Sequence, residues 1–511
     1  MPRSILIPRA AGAPDHAAPR RTTRIAALVT LVICGLRPLA AHPAADSSVL
    51  RIEPYTFVTR SGDSIVGELG TLQVRRRHDD PASPTLALRF VRLPARAPRA
   101  GVAPVLYLAG GPGGSGIETA RGARWPVFDA VRAHADLILL DQRGTGRSDG
   151  APPCPPQGRM ELPLDSLVTE ARALAAMRAE AERCVAWWRA QGVDLDAFTT
   201  VQSAHDIDAL RRALGLRTIS LWGMSYGTHL ALTTLRLHGA QVQRAVLMGT
   251  EGPDHTIKRP LAADSILARL DARLAADTVA RQRIPSVRAS LARTFAALDR
   301  SPLHVRVAGP AGDSTTVVLG RFDVQLLVAG MLGQSQSAVR LPALALLFES
   351  GDPRLLAPFA RRVKVDVPRL AAMPLAMDVA SGATAARLAL VAREAQASLV
   401  GDALNFPWPG IGAGLGIRDL GDAFRAPVRT RVPTFFVSGT MDGRTPPSNA
   451  EEVMRGFTDA THLILDGAGH DDELWLSHPV IAERLAEFLA GGRVAGGTVP
   501  VRQRPFSFGG P

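Results

Sequence analysis

The tightest constraint on this chain is the run Gly223-Met224-Ser225-Tyr226-Gly227, set between a short apolar stretch at 218–222 (TISLW) and a segment of helical periodicity. A serine in that setting stands on a sharp strand-to-helix turn. Glycines on either side let neighbouring backbone approach closely while the hydroxyl is lifted above the end of a sheet. Five residues of this kind also fit an ordinary glycine-containing turn, so the remainder of the chain has to decide between the two.

The surrounding pattern predicts a sheet of the required type. Continuous apolar runs at 103–109 (APVLYLA), 136–140 (DLILL), 218–222, 244–248 (RAVLM), 434–438 (TFFVS) and 462–465 (HLIL) suit parallel strands buried on both faces. Amphipathic stretches at 202–214 and 479–489 supply helices, and the alternation predicts βαβ units. Residues 50–98 read as β-rich, with extended runs at 51–59, 71–77 and 85–93. Between 253 and 431 the alternation breaks into Ala/Leu-rich helices with one possible hairpin, 304–307 with 315–319, which reads as an insertion. The expected organisation is a leader at 1–41, a first core part at 42–252, the insertion at 253–431, a second core part at 432–490 and a disordered Gly-, Pro- and Arg-rich tail at 491–511.

Two further residues follow the serine in the order such a sheet demands. Asp442 lies just past the TFFVS strand, and His470 follows the HLIL strand in Gly467-Ala468-Gly469-His470. The carboxyl ends of strands are where an open α/β sheet builds its site, so Ser225, Asp442 and His470 are expected to converge. In that arrangement His470 takes the serine proton and Asp442 orients and stabilises the imidazole. The loop 110–116 (GGPGGSG) has no Lys-Ser/Thr ending and so does not read as a phosphate cradle. Its expected role is to set the Gly111 N–H opposite that of Tyr226 as an oxyanion hole.

At this point the chain resembles the α/β-hydrolase serine peptidases typified by proline iminopeptidase and by the secreted tripeptidyl aminopeptidases. The resemblance rests on GGPGGSG at 110–116, DQRGTGRS at 141–148, GMSYGT at 223–228, DGRTP at 442–446 and GAGHD at 467–471. It implies an α/β-hydrolase fold with N-terminal antiparallel strands, a mostly parallel sheet and a helical cap over the site. It also implies Ser225, Asp442 and His470 as the triad. Cysteines placed like Cys154 and Cys184 belong to the same pattern. The chain departs from it at 404–409 (LNFPWP), where relatives often carry a cysteine before the Trp-Pro pair.

Arg20, Arg21 and Arg24 precede the apolar run 25–36, which reads as a secretory leader too short to span a bilayer. Export to the periplasm or the outside is therefore expected. Loss of that leader removes Cys34 and leaves Cys154 and Cys184, which either form a disulfide in an oxidising compartment or stay as two buried thiols. The net charge of +12 is almost all arginine, since only Lys258 and Lys364 are lysines, and it forms no dense basic run. With 5% aromatic residues, a nucleic-acid groove is not indicated. No zinc spacing occurs, and no metal or cofactor is expected. Asp141 and Arg143 are expected to pin a turn by pairing with each other, and Asp471, Asp472 and Glu473 to form a solvated acidic turn.

The preferred reading is an exported serine exopeptidase acting on peptide N-termini, with a carboxylesterase or lipase-like hydrolase as the alternative. A non-catalytic binder on the same scaffold is the third reading. An aminopeptidase needs a carboxylate for the substrate ammonium. Glu251 and Asp254, past the RAVLM strand, and Glu118, past the glycine loop, are the candidates.

Overall fold

A computed structural model describes residues 49–508 apart from 156–161, 309–312, 365–369 and 471. The expected leader and Cys34 lie outside the described residues. Ten strands make one sheet in the order β1-β2-β3-β5-β4-β6-β7-β10-β11-β12. β1 (Leu50–Val58), β2 (Ser64–Arg75) and β3 (Thr85–Leu93) form an antiparallel meander joined to β5 (Leu137–Asp141). From β5 onward every pairing is parallel, through β4 (Val105–Leu108), β6 (Ile219–Met224), β7 (Val242–Met248), β10 (Thr434–Gly439), β11 (Ala460–Asp466) and β12 (Gly497–Pro500). β8 (Leu303–Ala308) and β9 (Ser314–Leu319) make a separate antiparallel hairpin within the insertion.

The apolar runs become strands because the sheet is covered on both faces. Every residue of β4, β5, β6 and β10 is buried, whereas β2 alternates buried with exposed or half-buried positions. On one face Tyr107, Phe128, Trp222 and Trp475 cluster with centroids 4.7 to 5.8 Å apart, mostly edge-on or tilted. The segment between β7 and β10 is mainly helical and has its own apolar core, with Leu270, Leu291, Phe295 and Leu341 fully or almost fully buried. It nonetheless belongs to one compact unit with the sheet. Among the described residues no single helix is long and apolar enough to cross a membrane.

Two expectations are corrected. The tail is not disordered over its described residues: β12 pairs in parallel with β11, Val501 N–H donates to the Asp466 carbonyl at 3.0 Å, and Val501 is buried. An edge strand is held by backbone bonds to one neighbour, so a Gly- and Pro-rich composition conceals it. Nor do Asp141 and Arg143 pair with each other. Asp141 accepts from the Ser115 hydroxyl at 2.5 Å and from the backbone N–H of Ile117 and Arg147, and so ties the glycine loop to the next turn. Arg143 is fully buried, forks onto Asp206 of the helix Thr200–Ala213, and donates to the carbonyls of Arg76 and Ala197. Both carboxylates are buried, but Asp141 is already taken by the Ser115 hydroxyl and two backbone N–H groups, so the buried guanidinium pairs with Asp206.

Cys154 and Cys184 are bonded, with Cα atoms 5.6 Å apart, fastening the segment after β5 to the helix Glu170–Ala190. The bridge closes a loop with a sequence separation of 30 residues. In the chain-entropy model a loop of that size is worth about 3 to 4 kcal/mol. The double variant Cys154→Ser/Cys184→Ser is therefore expected to unfold at lower denaturant by roughly that amount under non-reducing conditions. Two free thiols in the native oxidised protein, read by alkylation and intact mass, would contradict the bridge.

Candidate active site

Ser225 follows β6 directly and has φ 54°, ψ −123°; it is the one non-glycine residue with positive φ among the described residues. That strained conformation is enforced by close backbone packing. A Cβ on Gly227 would sit 2.0 Å from the Leu108 carbonyl oxygen, and one on Gly223 would sit 2.5 Å from the Gly227 oxygen. Gly110, at the end of β4, would likewise strike the Met224 oxygen at 2.7 Å and Ser225 Cβ at 2.9 Å. The three glycines thus allow β4, β6 and the helix Tyr226–His238 to meet at one point.

Loops after β10 and β11 bring the other two side chains there. His470 Nε2 lies 3.0 Å from Ser225 Oγ, and Nδ1 lies 2.7 Å from Asp442 Oδ2. Asp442 is fully buried, and its second oxygen accepts the backbone N–H groups of Arg444 and Thr445, each at 2.8 Å. Burial alone would raise its pKa. The His470 imidazole, together with the Thr445 hydroxyl and backbone N–H, outweighs burial and holds the carboxyl below its ordinary value. The expected trio is therefore assembled with the hydrogen-bond geometry that proton transfer from serine requires.

The N–H groups of Gly111 and Tyr226 find no acceptor among the described residues. Tyr226 opens its helix, where the first N–H groups have no partner within the helix. Gly111, Ser225 and His470 line a common cavity of about 390 Å³ whose walls also include Arg124, Gly330, Gly333, Gln334 and Arg444. Among the described residues no carboxylate lines these walls.

That last fact corrects the expectation for Glu251, Asp254 and Glu118. Glu251 is buried and bound to Lys258 Nζ at 2.6 Å. Asp254 accepts the Thr384 N–H and hydroxyl, both at 2.7 Å, and so secures the residue that caps the helix Ala385–Ala397. Glu118 sits on the surface, 3.7 Å from both Arg121 and Arg147. Each already has a partner from its own surroundings. Glu473 is drawn inward: its carboxylate accepts the Gly469 N–H at 2.8 Å, bracing the turn that carries His470. Asp471 lies outside the described residues.

Sequence reasoning missed Thr445 and Asp378. The Thr445 hydroxyl donates to Asp442 Oδ2 at 2.6 Å and lies 2.9 Å from His470 Nδ1. Its signal was the Asp-x-x-Thr spacing, which lets a turn fold back on its own carboxylate. The carboxyl of Asp378, in the helix Ala372–Ser381, forms no hydrogen bond or ion pair among the described residues. It keeps a little exposed surface, but the protein packed around it, and next the charge of Glu251, push its carboxyl up to about 8. Its position in a helix far along the chain carries no motif.

Removing the Thr445 hydroxyl leaves Asp442 one donor short in a site with no water access. Loss of a hydrogen bond to a charged group costs about 1.5–3 kcal/mol. For Thr445→Val, kcat is expected to fall about ten- to a hundredfold with KM within about twofold, while Thr445→Ser retains most of the rate. Steady-state kinetics on the substrate chosen below decide it. A Val variant at full rate would show that the hydroxyl positions nothing.

The α/β hydrolase fold family matches residues 103–475. Tripeptidyl aminopeptidase from Streptomyces coelicolor is 31% identical over 156 residues, which is 29% of this chain and 28% of that protein. Serine protease Hip1 from Mycobacterium tuberculosis is 31% identical over 192 residues, 36% of each chain. The chain therefore spans only about a third of the length of these curated relatives. Among solved structures, a proline iminopeptidase from Mycobacterium smegmatis aligns over 79% of this chain and 94% of its own at 15% identity and a TM-score of 0.37. With the family match extending from the residues before the glycine loop to beyond the histidine, the chain belongs to the α/β hydrolase fold family.

Proposed function

We propose that the protein is an exported serine hydrolase that releases N-terminal residues or short peptides from peptide substrates through an acyl-enzyme. The single observation carrying the reading is the Ser225–His470–Asp442 chain of contacts at 3.0 and 2.7 Å. Ser225 Oγ attacks the scissile carbonyl carbon as its proton passes to His470 Nε2. The carbonyl oxygen, now negative, is received by the N–H groups of Gly111 and Tyr226. On collapse the C–N bond breaks and His470 delivers the proton to the leaving amine. Water then repeats the sequence on the ester, with His470 as base, and frees Ser225.

Support for a peptide substrate comes from the peptidase names of the partly matching relatives. For the substrate ammonium, a largely enclosed carboxyl without a partner among the described residues is that of Asp378. Pro374, one turn earlier on its helix, lies against the glycine loop, 3.1 Å from where a Cβ on Gly113 would stand. The esterase alternative draws on the absence of a carboxylate among the described walls of the Ser225 cavity. Export is supported by the Cys154–Cys184 bridge, which suits an oxidising compartment.

Ser225→Ala is expected to stay folded, to lose labelling by a fluorophosphonate probe and to keep less than about a hundredth of the wild-type rate. A wild-type protein that resists the probe would instead be a binder. A panel of amino-acyl and tripeptidyl anilides beside short acyl esters identifies the acyl part. Acetylating the best anilide's amine is expected to lower kcat/KM at least about a hundredfold, as an unpaired buried carboxylate costs several kcal/mol. Equal rates for free and acetylated forms, or much faster ester cleavage, would favour the esterase.

A further inference from the structure

The space around Ser225 continues into the insertion. Gly330 and Arg444 belong to its walls and also to those of a second cavity of about 390 Å³. That second cavity shares Leu327, Met331, Arg362 and Val363 with a third of about 810 Å³, bordered further by Arg340 and Arg283. Side chains such as Leu326, Leu404 and Phe406 make the second cavity largely apolar. No Asp or Glu lines any of the three among the described residues. Arg124 is neutralised by Asp472 at 2.7 Å, and Arg283 lies over the Phe508 ring. Arg444, Arg362 and Arg340 have no carboxylate within ion-pair distance among the described residues.

Arg444 occupies the junction. Its backbone N–H belongs to the Asp442 turn, and its side-chain stem lies along Gly333, where a Cβ would come within 3.2 Å of Cδ and Nε. Gly333 in turn accepts the His470 N–H at 3.1 Å through its carbonyl, and Leu332 accepts the Gly443 N–H at 3.3 Å. The guanidinium stem is thus held beside the histidine on a turn that is bonded to both catalytic loops. His470 must reach the leaving nitrogen to protonate it, so the part of the substrate that departs lies on the His470 side of Ser225. That is the side walled by 330–334 and Arg444.

We propose that Arg444, with the cavities behind it, is a subsite for a carboxylate carried by the leaving part of the substrate, apolar side chains of the same part entering the space beyond. The inference rests on the acyl-transfer reading above and adds to it a preference on the leaving side. Arg444 is exposed and has no carboxylate within ion-pair distance among the described residues, and its planar guanidinium suits a substrate carboxylate. Arg362 offers a second cation for a longer leaving peptide.

The test holds the acyl part constant and varies what departs: p-nitroaniline, Leu-Leu as the free acid, Leu-Leu-amide and Leu-Glu-amide. Wild-type kcat/KM is expected to be about tenfold or more higher for a leaving group with a carboxylate than for Leu-Leu-amide, the tenfold corresponding to about 1.4 kcal/mol. Preference for the free acid alone assigns the subsite to a chain terminus; preference for Leu-Glu-amide alone assigns it to an acidic side chain. Arg444→Gln is expected to bring all the peptides within about twofold of one another and to lower the acids more than the anilide, and Arg444→Lys to keep part of the preference. Equal wild-type rates for acid and amide forms would overturn the proposal, as would an Arg444→Gln loss as large on the anilide as on the acids. Should wild-type protein turn over neither anilide nor peptide, the peptidase reading fails separately. Esters with carboxylate-bearing against neutral alcohols then test Arg444 by the same criterion.

Discussion

The site depends on one forced backbone conformation. Ser225 can hold φ 54° only because the start of its helix is pressed against β4, and that contact exists only because Gly110, Gly223 and Gly227 lack side chains. A methyl group at Gly227 would fall 2.0 Å from a carbonyl oxygen belonging to a fully buried strand, where nothing can give way. The same closeness sets the glycine loop beside Ser225 and leaves two backbone N–H groups without acceptors among the described residues. The strained Ser225 backbone and the two unpaired N–H groups beside it are therefore two results of one packing constraint.

Charge placement follows from burial in the same way. Three buried acids near the core are satisfied differently: Asp206 by Arg143, Glu251 by Lys258, and Asp442 by His470 and Thr445. Of these partners only His470 lines the cavity beside Ser225, so Asp442 is the acid whose partner faces that cavity. The other two pairs serve architecture, Arg143–Asp206 joining the turn after β5 to the helix before β6. Every member is a charge that would be costly to bury alone.

How much of this was legible depended on whether the determining interaction was local. Runs such as DLILL and TFFVS declare themselves because a strand covered on both faces must be apolar throughout, and the hairpin of the insertion was visible through its alternation. Ser225, Asp442 and His470 could be read from strand-end positions, since the fold brings those ends to one edge. Pairings between distant segments were not legible. Nothing local tells Arg143 to choose Asp206 over Asp141, or tells Glu251 that Lys258 will fill the place reserved for a substrate amine. β12 escaped because edge strands are chosen by the backbone of a neighbour, and Asp378 because its isolation is a property of packing.

The insertion is bound to the chemistry by more than proximity. Its turn at 332–333 accepts N–H groups from the loops of both Asp442 and His470. The C-terminal tail adds a second tie: Arg504 pairs with Glu473, which braces Gly469, while Ser507 N–H donates to the Val339 carbonyl and Phe506 stacks under Arg273. A displacement of the insertion would strain the histidine turn from both sides. The cavity walls at 330–334 and the His470 imidazole are consequently tied together by backbone hydrogen bonds. Substitutions in 330–335 should therefore register in the position of His470 as well as in the shape of the cavity.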